Sequence, residues 1–295
     1  MKRIAVLGGG GVAGIAWATG VVAGLARGGV DLAEAEGFIG TSAGASLGAQ
    51  LAAGLAPETL LQAQLEPPAD SREVMRPYSQ AEADASNQRL LEKVSGDLGA
   101  ARRRIGAFAL RSETAAPELR RAIVAARLPG EAWPDRWLGV VAVDAESGEY
   151  RLFDRHGDVG LVDAVTASSA VPGAWPPVGI AGRHYMDGGI RSMTNADLAH
   201  GASHVVVLAP LGYSEANPVS GHLHAEVATL RAGGARVDVV VPDANSRKAM
   251  GDNVLDPAAR APAARAGLQQ GQALSMALAG AWTTISHPPK HGDTQ

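Results

Sequence analysis

Ile4-Ala5-Val6-Leu7-Gly8-Gly9-Gly10-Gly11-Val12-Ala13-Gly14 opens an uncharged run that continues to Ala26 behind Lys2 and Arg3. How this run divides decides the fold. Read as one apolar helix, it is a signal peptide or a membrane span. Yet seven of its 23 residues are glycine, four of them consecutive, and each glycine inside a helix costs about 1 kcal/mol relative to alanine. The run therefore divides better into a buried strand over Ile4–Leu7, a glycine turn, and a helix from about Gly14 to Arg27.

Working outward, a short strand near Gly37–Gly40 and a helix from Ala43 to Gly54 repeat the alternation. Strand, helix, strand, helix at this spacing implies parallel strands with right-handed crossovers. Between Pro57 and Pro129 the pattern changes. Leu60, Leu61 and Leu65, then Leu90, Leu91, Val94 and Leu98, then Leu119, Ile123 and Val124 recur at helical spacing, which predicts a helical insertion without strands. Strands resume at Trp137–Val143, and Asp144–Gly148 turns the chain into Tyr150–Phe153. A helix over Leu161–Ser169 follows, then a strand pair over Val178–Met186 with Ala181-Gly182 at its turn. The spacing next predicts a helix over Thr194–His200, strands at His204–Ala209 and Val237–Val241 around a helix at Leu223–Arg231, and a terminal helix over Pro257–Ala281. The fold class is thus α/β: a three-layer α/β/α arrangement with a mostly parallel central sheet. No linker composition interrupts it, so one domain over 1–285 is expected, with a cap-like helical insertion at about 57–129 and a frayed polar tail at 286–295.

Composition narrows the function. Of 295 residues, 46% are hydrophobic and 19% charged, which suits a large core and excludes whole-chain disorder. A net charge of −4, from 26 basic and 30 acidic residues, gives no positive field for nucleic acid. The absence of cysteine excludes disulfides, thiolate catalysis and Cys-ligated metal. With only 12 aromatic residues (Trp 5, Tyr 4, Phe 3), the core is mostly alanine, valine and leucine.

Three motifs carry chemistry. Gly40-Thr41-Ser42-Ala43-Gly44 is a G-x-S-x-G placed between a strand and a helix. A sharp turn there exposes Ser42 in a strained backbone, Gly40 and Gly44 admit neighbouring backbone, and the following helix aims its positive end at the serine. The plainer reading is that Ser42 merely N-caps that helix. Gly9-Gly10-Gly11-Val12-Ala13-Gly14 offers backbone N–H groups that suit a phosphate or an acyl-transfer oxyanion. It also fits the dinucleotide fingerprint G-x-G-x-x-G, which wants an acidic residue about 20 positions on. Asp31 lies near that distance, but Gly28-Gly29-Val30 makes a poor strand. The third motif, Asp187-Gly188-Gly189, is by itself a common turn sequence.

Together the motifs resemble the patatin-like phospholipase family, of the bacterial type. The glycine loop, the G-x-S-x-G and the late D-G-G stand in that family's order, and Ala167-Ser168-Ser169-Ala170-Val171-Pro172-Gly173-Ala174-Trp175-Pro176-Pro177-Val178 is similar to the family's stretch before the D-G-G. The resemblance covers about Arg3–Asp197. It implies a Ser–Asp dyad, with Ser42 the nucleophile and Asp187 the general base. It implies an oxyanion and substrate-binding loop at Gly9, Gly10, Gly11 and Gly14, with Gly40, Gly44, Gly188 and Gly189 supporting the motifs. The expected reaction is hydrolysis of an acyl ester in a phospholipid or lysophospholipid, without metal or organic cofactor. One departure is Ala13, where the family often has Arg or Lys.

Other readings stand beside this one. An ordinary hydrolase triad would join Ser42 and Asp187 to His200, His204, His222 or His224, although that fold places more strands before its nucleophile. A lipid- or acyl-binding protein without turnover, or a nucleotide-binding protein, would use the same glycines differently. His222 and His224 form an H-x-H pair without an evident third metal ligand, so a solvated pair is expected. Arg102-Arg103-Arg104 with Ile105, Phe108 and Leu110 is either a basic face for an anionic lipid surface or a solvated helix face. Glu92 and Lys93 read as ordinary surface. Trp175 lines an acyl pocket or packs in the core. The partners expected are a lipid or acyl-ester substrate and a transient membrane surface. The lack of an export signal points to the cytoplasm, and oligomeric state is not legible.

Overall fold

The computed structural model of the protein describes residues 2–66 and 77–282. The chain runs β1 (Arg3–Leu7), α1 (Gly11–Arg27), β2 (Gly37–Thr41), α2 (Ala43–Ala52), α3 (Pro57–Leu65), α4 (Gln80–Lys93), α5 (Leu98–Arg111) and α6 (Pro117–Ala125). It continues through β3 (Trp137–Asp144), β4 (Tyr150–Phe153), α7 (Leu161–Ser168), β5 (Val178–Ile180) and β6 (Arg183–Asp187). The last elements are β7 (His204–Leu208), α8 (Leu223–Ala232), β8 (Arg236–Val240), α9 (Ala244–Met250) and α10 (Arg260–Trp282).

The opening run does divide into strand, glycine turn and helix. The helix begins at Gly11, three residues before the expected start, because the Gly14 N–H already donates to the Gly10 carbonyl (2.7 Å). Every position of α1 from Val12 to Leu25 is buried, which explains why the run carries no charge. It packs between the sheet and α10, and its glycines set the spacing. A Cβ on Gly20 would stand 2.2 Å from the carbonyl oxygen of Ala264 in α10, so the two backbones meet with no room for side chains. Among the described residues no helix is long and apolar enough to cross a membrane.

The strands join in the order β5-β6-β3-β2-β1-β7-β8, with β4 also on β3. The pairs β1–β2, β1–β7, β2–β3 and β7–β8 are parallel; β3–β4, β3–β6 and β5–β6 are antiparallel. Side chains along β1 alternate between the two faces. Ala5 and Leu7 join the core formed with α1, α2, α3, α7 and α10, while Ile4 and Val6 join the core under α8. These are the three layers.

Register at β3 places the site. Val141 pairs with both Thr41 of β2 and Leu152 of β4; Ala142 pairs with both Asp187 of β6 and Arg151 of β4. A strand has two edges. β4 takes one of them from Val140 to Val143, so β2 and β6 share the other and meet end to end, Thr41 against Asp187.

The insertion between Pro57 and Pro129 contains α3 to α6 and, among the described residues, no strand. Two expectations need correction. Thr194–His200 is not a helix: only a 3-10 turn forms at Ala196–Ala199, after Asn195 in the left-handed region (φ 52°), because Asn195 is committed to another task described below. The helix α9 was not expected. Its cap is visible, since the Asp243 carboxylate accepts from the Ser246 N–H (2.7 Å), but seven residues are too few to show a periodicity. The tail at 286–295 lies outside the described residues.

Candidate active site

Ser42 sits between β2 and α2 with φ 54° and ψ −119°, a strained conformation for a residue with a side chain. Its neighbours hold it there. The Ser42 N–H donates to the Ser168 hydroxyl at the end of α7 (2.9 Å). A Cβ on Gly44 would lie 1.9 Å from the Leu7 carbonyl oxygen, and one on Gly40 would lie 2.4 Å from the Ala45 Cα. Both positions admit only glycine, and so α2 can press onto the ends of β1 and β2. Ser42 makes no side-chain cap to α2. Its hydroxyl instead donates to Asp187 Oδ2 at 2.7 Å, across 145 residues of sequence.

Asp187 closes β6. Its Oδ1 accepts from the Gly189 N–H (2.7 Å), its own N–H donates to the Ala170 carbonyl (3.0 Å), and Gly188 packs against the Val141 carbonyl. Ser42 and Asp187 are 7% and 5% exposed. Burial pushes the Asp187 carboxyl up to about 6, opposed by the Ser42 hydroxyl, the Gly189 N–H and the charge of Arg120. A carboxylate with this setting is ionised at neutral pH and accepts a proton readily.

The glycine loop borders Ser42, and its members differ. The Gly9 N–H is used: it donates to the Met193 carbonyl (2.8 Å). Gly9 instead allows closeness, since its Cβ would lie 3.3 Å from that of Ser42. Gly14, inside α1, uses its N–H on Gly10 and packs against Pro210. The expected donor set of Gly9, Gly10, Gly11 and Gly14 therefore narrows to Gly10 and Gly11, whose N–H groups have no acceptor among the described residues. Both line the cavity at Ser42. Ala43, one residue after Ser42, also has an uncommitted N–H among the described residues and lines the adjoining cleft. The sequence reading missed it, although a turn of this type commonly recruits that residue.

Arg120 was also missed. It is 3% exposed and donates from Nη2 to the Ser169 carbonyl (3.1 Å) and hydroxyl (2.9 Å). Its guanidinium lies 4.2 Å from the centre of the Trp175 ring. A signal existed: Arg120, Ile123 and Val124 fall on one face of α6, and all three are buried. Trp175 both lines the cleft beside Ser42 and is buried against Ile123.

No histidine lines the cavities at Ser42 among the described residues. His204 starts β7, at the opposite end of the sheet, and contacts Asp238 (2.7 Å). His222 Nε2 lies 2.9 Å from the Val219 carbonyl, and His224 Nε2 lies 2.7 Å from Glu215. His200 lies in the loop before β7 and is exposed. The triad alternative thus has no candidate among these. Asp31 caps the 3-10 turn at Leu32–Glu34 through the Ala33 N–H (2.8 Å). It precedes β2 instead of closing it, which removes the dinucleotide reading's acidic partner.

A cavity of about 60 Å³ holds Ser42 and Asp187. It shares Tyr78, Val171, Pro172, Ile190 and Met193 with a larger one of about 410 Å³ between α4 and α5. Residues of the helical insertion thus line the cavity that adjoins the serine's.

A family model described as patatin-like phospholipase matches residues 5–200. No curated protein matches the chain. Among solved structures, the chain is similar to VipD from Legionella pneumophila, at 14% identity and a TM-score of 0.44, covering 94% of this chain and 67% of that one. It is also similar to the type III effector protein ExoU, at 17% identity and a TM-score of 0.34, covering 92% of this chain and 53% of that one. These two likenesses are too distant to bear on chemistry.

Proposed function

The chain belongs to the patatin-like phospholipase family, and we propose that it is a serine acyl-ester hydrolase, acting on phospholipid or lysophospholipid esters through Ser42 and Asp187. The observation that carries this reading is the 2.7 Å hydrogen bond from the Ser42 hydroxyl to a buried carboxylate.

Ser42 Oγ attacks the ester carbonyl carbon while its proton passes to Asp187 Oδ2. The carbonyl π pair moves onto oxygen, and that oxyanion faces the N–H groups of Gly10 and Gly11, with the Ala43 N–H and the start of α2 beside it. Collapse breaks the bond to the alcohol, whose oxygen takes the proton from Asp187. Water then attacks the acyl-serine by the same route, giving its proton to Asp187. The departing serine oxygen recovers that proton, and the fatty acid is released. A carboxyl pushed up to about 6 suits both halves, since it accepts a proton from serine and returns it to an alkoxide. The Gly189 N–H holds the other carboxylate oxygen and fixes the group's orientation.

A fluorophosphonate probe tests the proposal. Labelling of the wild type that disappears in Ser42→Ala, together with release of fatty acid from phospholipid micelles, supports it. Lipid binding without labelling or release overturns it in favour of an acyl-binding protein.

A further inference from the structure

The cavity of about 410 Å³ between α4 and α5 has two unlike ends. Its inner end is the apolar wall it shares with the Ser42 cavity. Its outer end carries Arg89, Lys93 and Arg104, all exposed. Phe108 stands beside them, 54% exposed, over Gly173. Its lining includes no Asp or Glu among the described residues, although the protein's net charge is −4. None of the three cations makes an ion pair with a described residue. The contrast lies in the wider cleft of about 830 Å³ near β8, which sets Asp84, Glu215 and Asp252 against Arg247 and does not touch Ser42. Arg89, Lys93 and Arg104 therefore place positive charge, with no acidic residue in the lining, at an opening that adjoins the Ser42 cavity; Arg120 and Arg127 line a second cleft at Ser42.

We propose that Arg89, Lys93 and Arg104 form a subsite for the anionic headgroup of a lipid in a membrane or micelle, so that the protein selects acidic lipids over zwitterionic ones. The inference rests on the acyl-hydrolase reading and names its substrate class. Each half of the ligand meets its own surface. Apolar chains lie against Ile105, Leu90 and the shared wall, while the phosphate meets the exposed cations. The Arg and Lys stems pass over apolar surface and keep their charged ends in water. Because these charges are exposed, the preference weakens as salt rises past about 0.1 M, where the screening length is about 10 Å. The sequence alternative for Arg102-Arg103-Arg104 divides accordingly. Arg104 lines the opening, whereas Arg102 turns away to the Arg191 carbonyl (3.1 Å).

The experiment uses vesicles of phosphatidylglycerol or phosphatidylcholine with matched acyl chains. The first measurement is sedimentation of the Ser42→Ala protein, and the second is kcat/KM of the active protein on the same lipids in micelles. Both are expected to favour phosphatidylglycerol by at least tenfold. Arg89→Gln/Lys93→Gln/Arg104→Gln is expected to bring that ratio to within about twofold of one, and Arg89→Lys/Arg104→Lys is expected to keep it. A control that removes Arg155, Arg231 and Arg236, which lie outside the cavity, is expected to leave the preference standing. The proposal is overturned if the wild type shows no preference, if the cavity variant keeps it, or if the control loses it equally. If the binding preference depends on the three cations but no lipid or soluble ester is cleaved, the hydrolase reading fails and the headgroup subsite stands.

Discussion

Thr41 and Asp187 end two strands that run toward each other along one edge of β3, on its consecutive residues Val141 and Ala142. The sheet itself, more than any loop, sets Ser42 against the carboxylate. Consecutive β residues are about 3.3 Å apart, so once β2 and β6 find their register the hydroxyl has little choice of partner. A parallel strand contributes the serine turn and an antiparallel one contributes the carboxylate. The two share a neighbour because β2 stops at Thr41 and leaves the rest of that edge open.

With Asp187 as the proposed base, activity is expected to follow its ionisation. Ser42→Ala and Asp187→Asn are each expected to lower kcat/KM on a phospholipid by about a thousandfold or more. In the wild type the carboxyl lies at about 6, so kcat/KM is expected to rise about tenfold per pH unit below 6 and to level off above about 7. A profile flat from pH 5 to 8 would remove Asp187 from the role of base.

The same burial makes a prediction about stability, with a definite sign. The folded carboxyl is pushed up to about 6, above the 3.8 of a free aspartate. The folded state therefore favours the protonated form. The stability Asp187 contributes is complete below about pH 4 and is lost as pH rises through 6, because the buried charge then goes unmatched by water. Asp187→Asn does not titrate there. Its stability relative to the wild type is expected to grow between pH 4 and 7, by up to about 3 kcal/mol. Urea unfolding of both proteins at four pH values measures the difference, in which other titrating groups cancel. A constant difference would show that the site stays hydrated.

The elbow depends on backbone contact as much as on the serine. Gly44→Ala places a Cβ 1.9 Å from the Leu7 carbonyl oxygen, and both atoms belong to the scaffold. The expected cost is about 3 kcal/mol, equivalent to a fall in Tm of roughly 6–12 °C. Gly130→Ala is the control. A Cβ there meets nothing within 4 Å, and its φ is not positive, so it is expected to be neutral within about 0.5 kcal/mol. Differential scanning calorimetry of the pair separates crowding from a general intolerance of glycine loss.

Much of this was legible because short-range physics writes it into neighbouring residues. Four consecutive glycines broke the opening run into strand and helix; both members of the hydrogen bond, by contrast, were named by the resemblance to the patatin-like family, in whose order G-x-S-x-G and D-G-G stand. What was not legible depends on distant contacts. Arg120 reads as one more surface charge until α6 folds against Trp175. The use of the Gly9 N–H by Met193 depends on a partner more than 180 residues away, which no local pattern announces. Register at β3 is of the same kind. The strands are visible in the sequence, but the sharing of one edge by β2 and β6 follows from β4 occupying the other.

Asn195 is where these distant contacts converge, and its replacement is the sharpest test of how the site is held. It is fully buried in the left-handed region at φ 52°, which costs asparagine less than most residues. Its Nδ2 donates to the Thr41 hydroxyl (3.0 Å), the Gly188 carbonyl (3.3 Å) and the Ser192 carbonyl (2.8 Å). Its Oδ1 accepts from Arg191 (2.8 Å). One amide thus ties the residue before Ser42 to the residue after Asp187, and the commitment of Asn195 to that task explains why no helix forms there. Asn195→Asp turns the donor into an acceptor facing two carbonyl oxygens, and is expected to cost about 3 kcal/mol. Asn195→Gly keeps the backbone conformation at ease and leaves a small cavity without setting an acceptor against the two carbonyls, so it is expected to cost less. Both are expected to lower kcat more than they raise KM, by up to about a hundredfold, because a shift near 1 Å between nucleophile and base is enough. Unfolding curves and kinetics of the two variants decide it: if Asn195→Asp keeps full kcat while losing stability, the amide supports the fold alone and does not position the reacting pair.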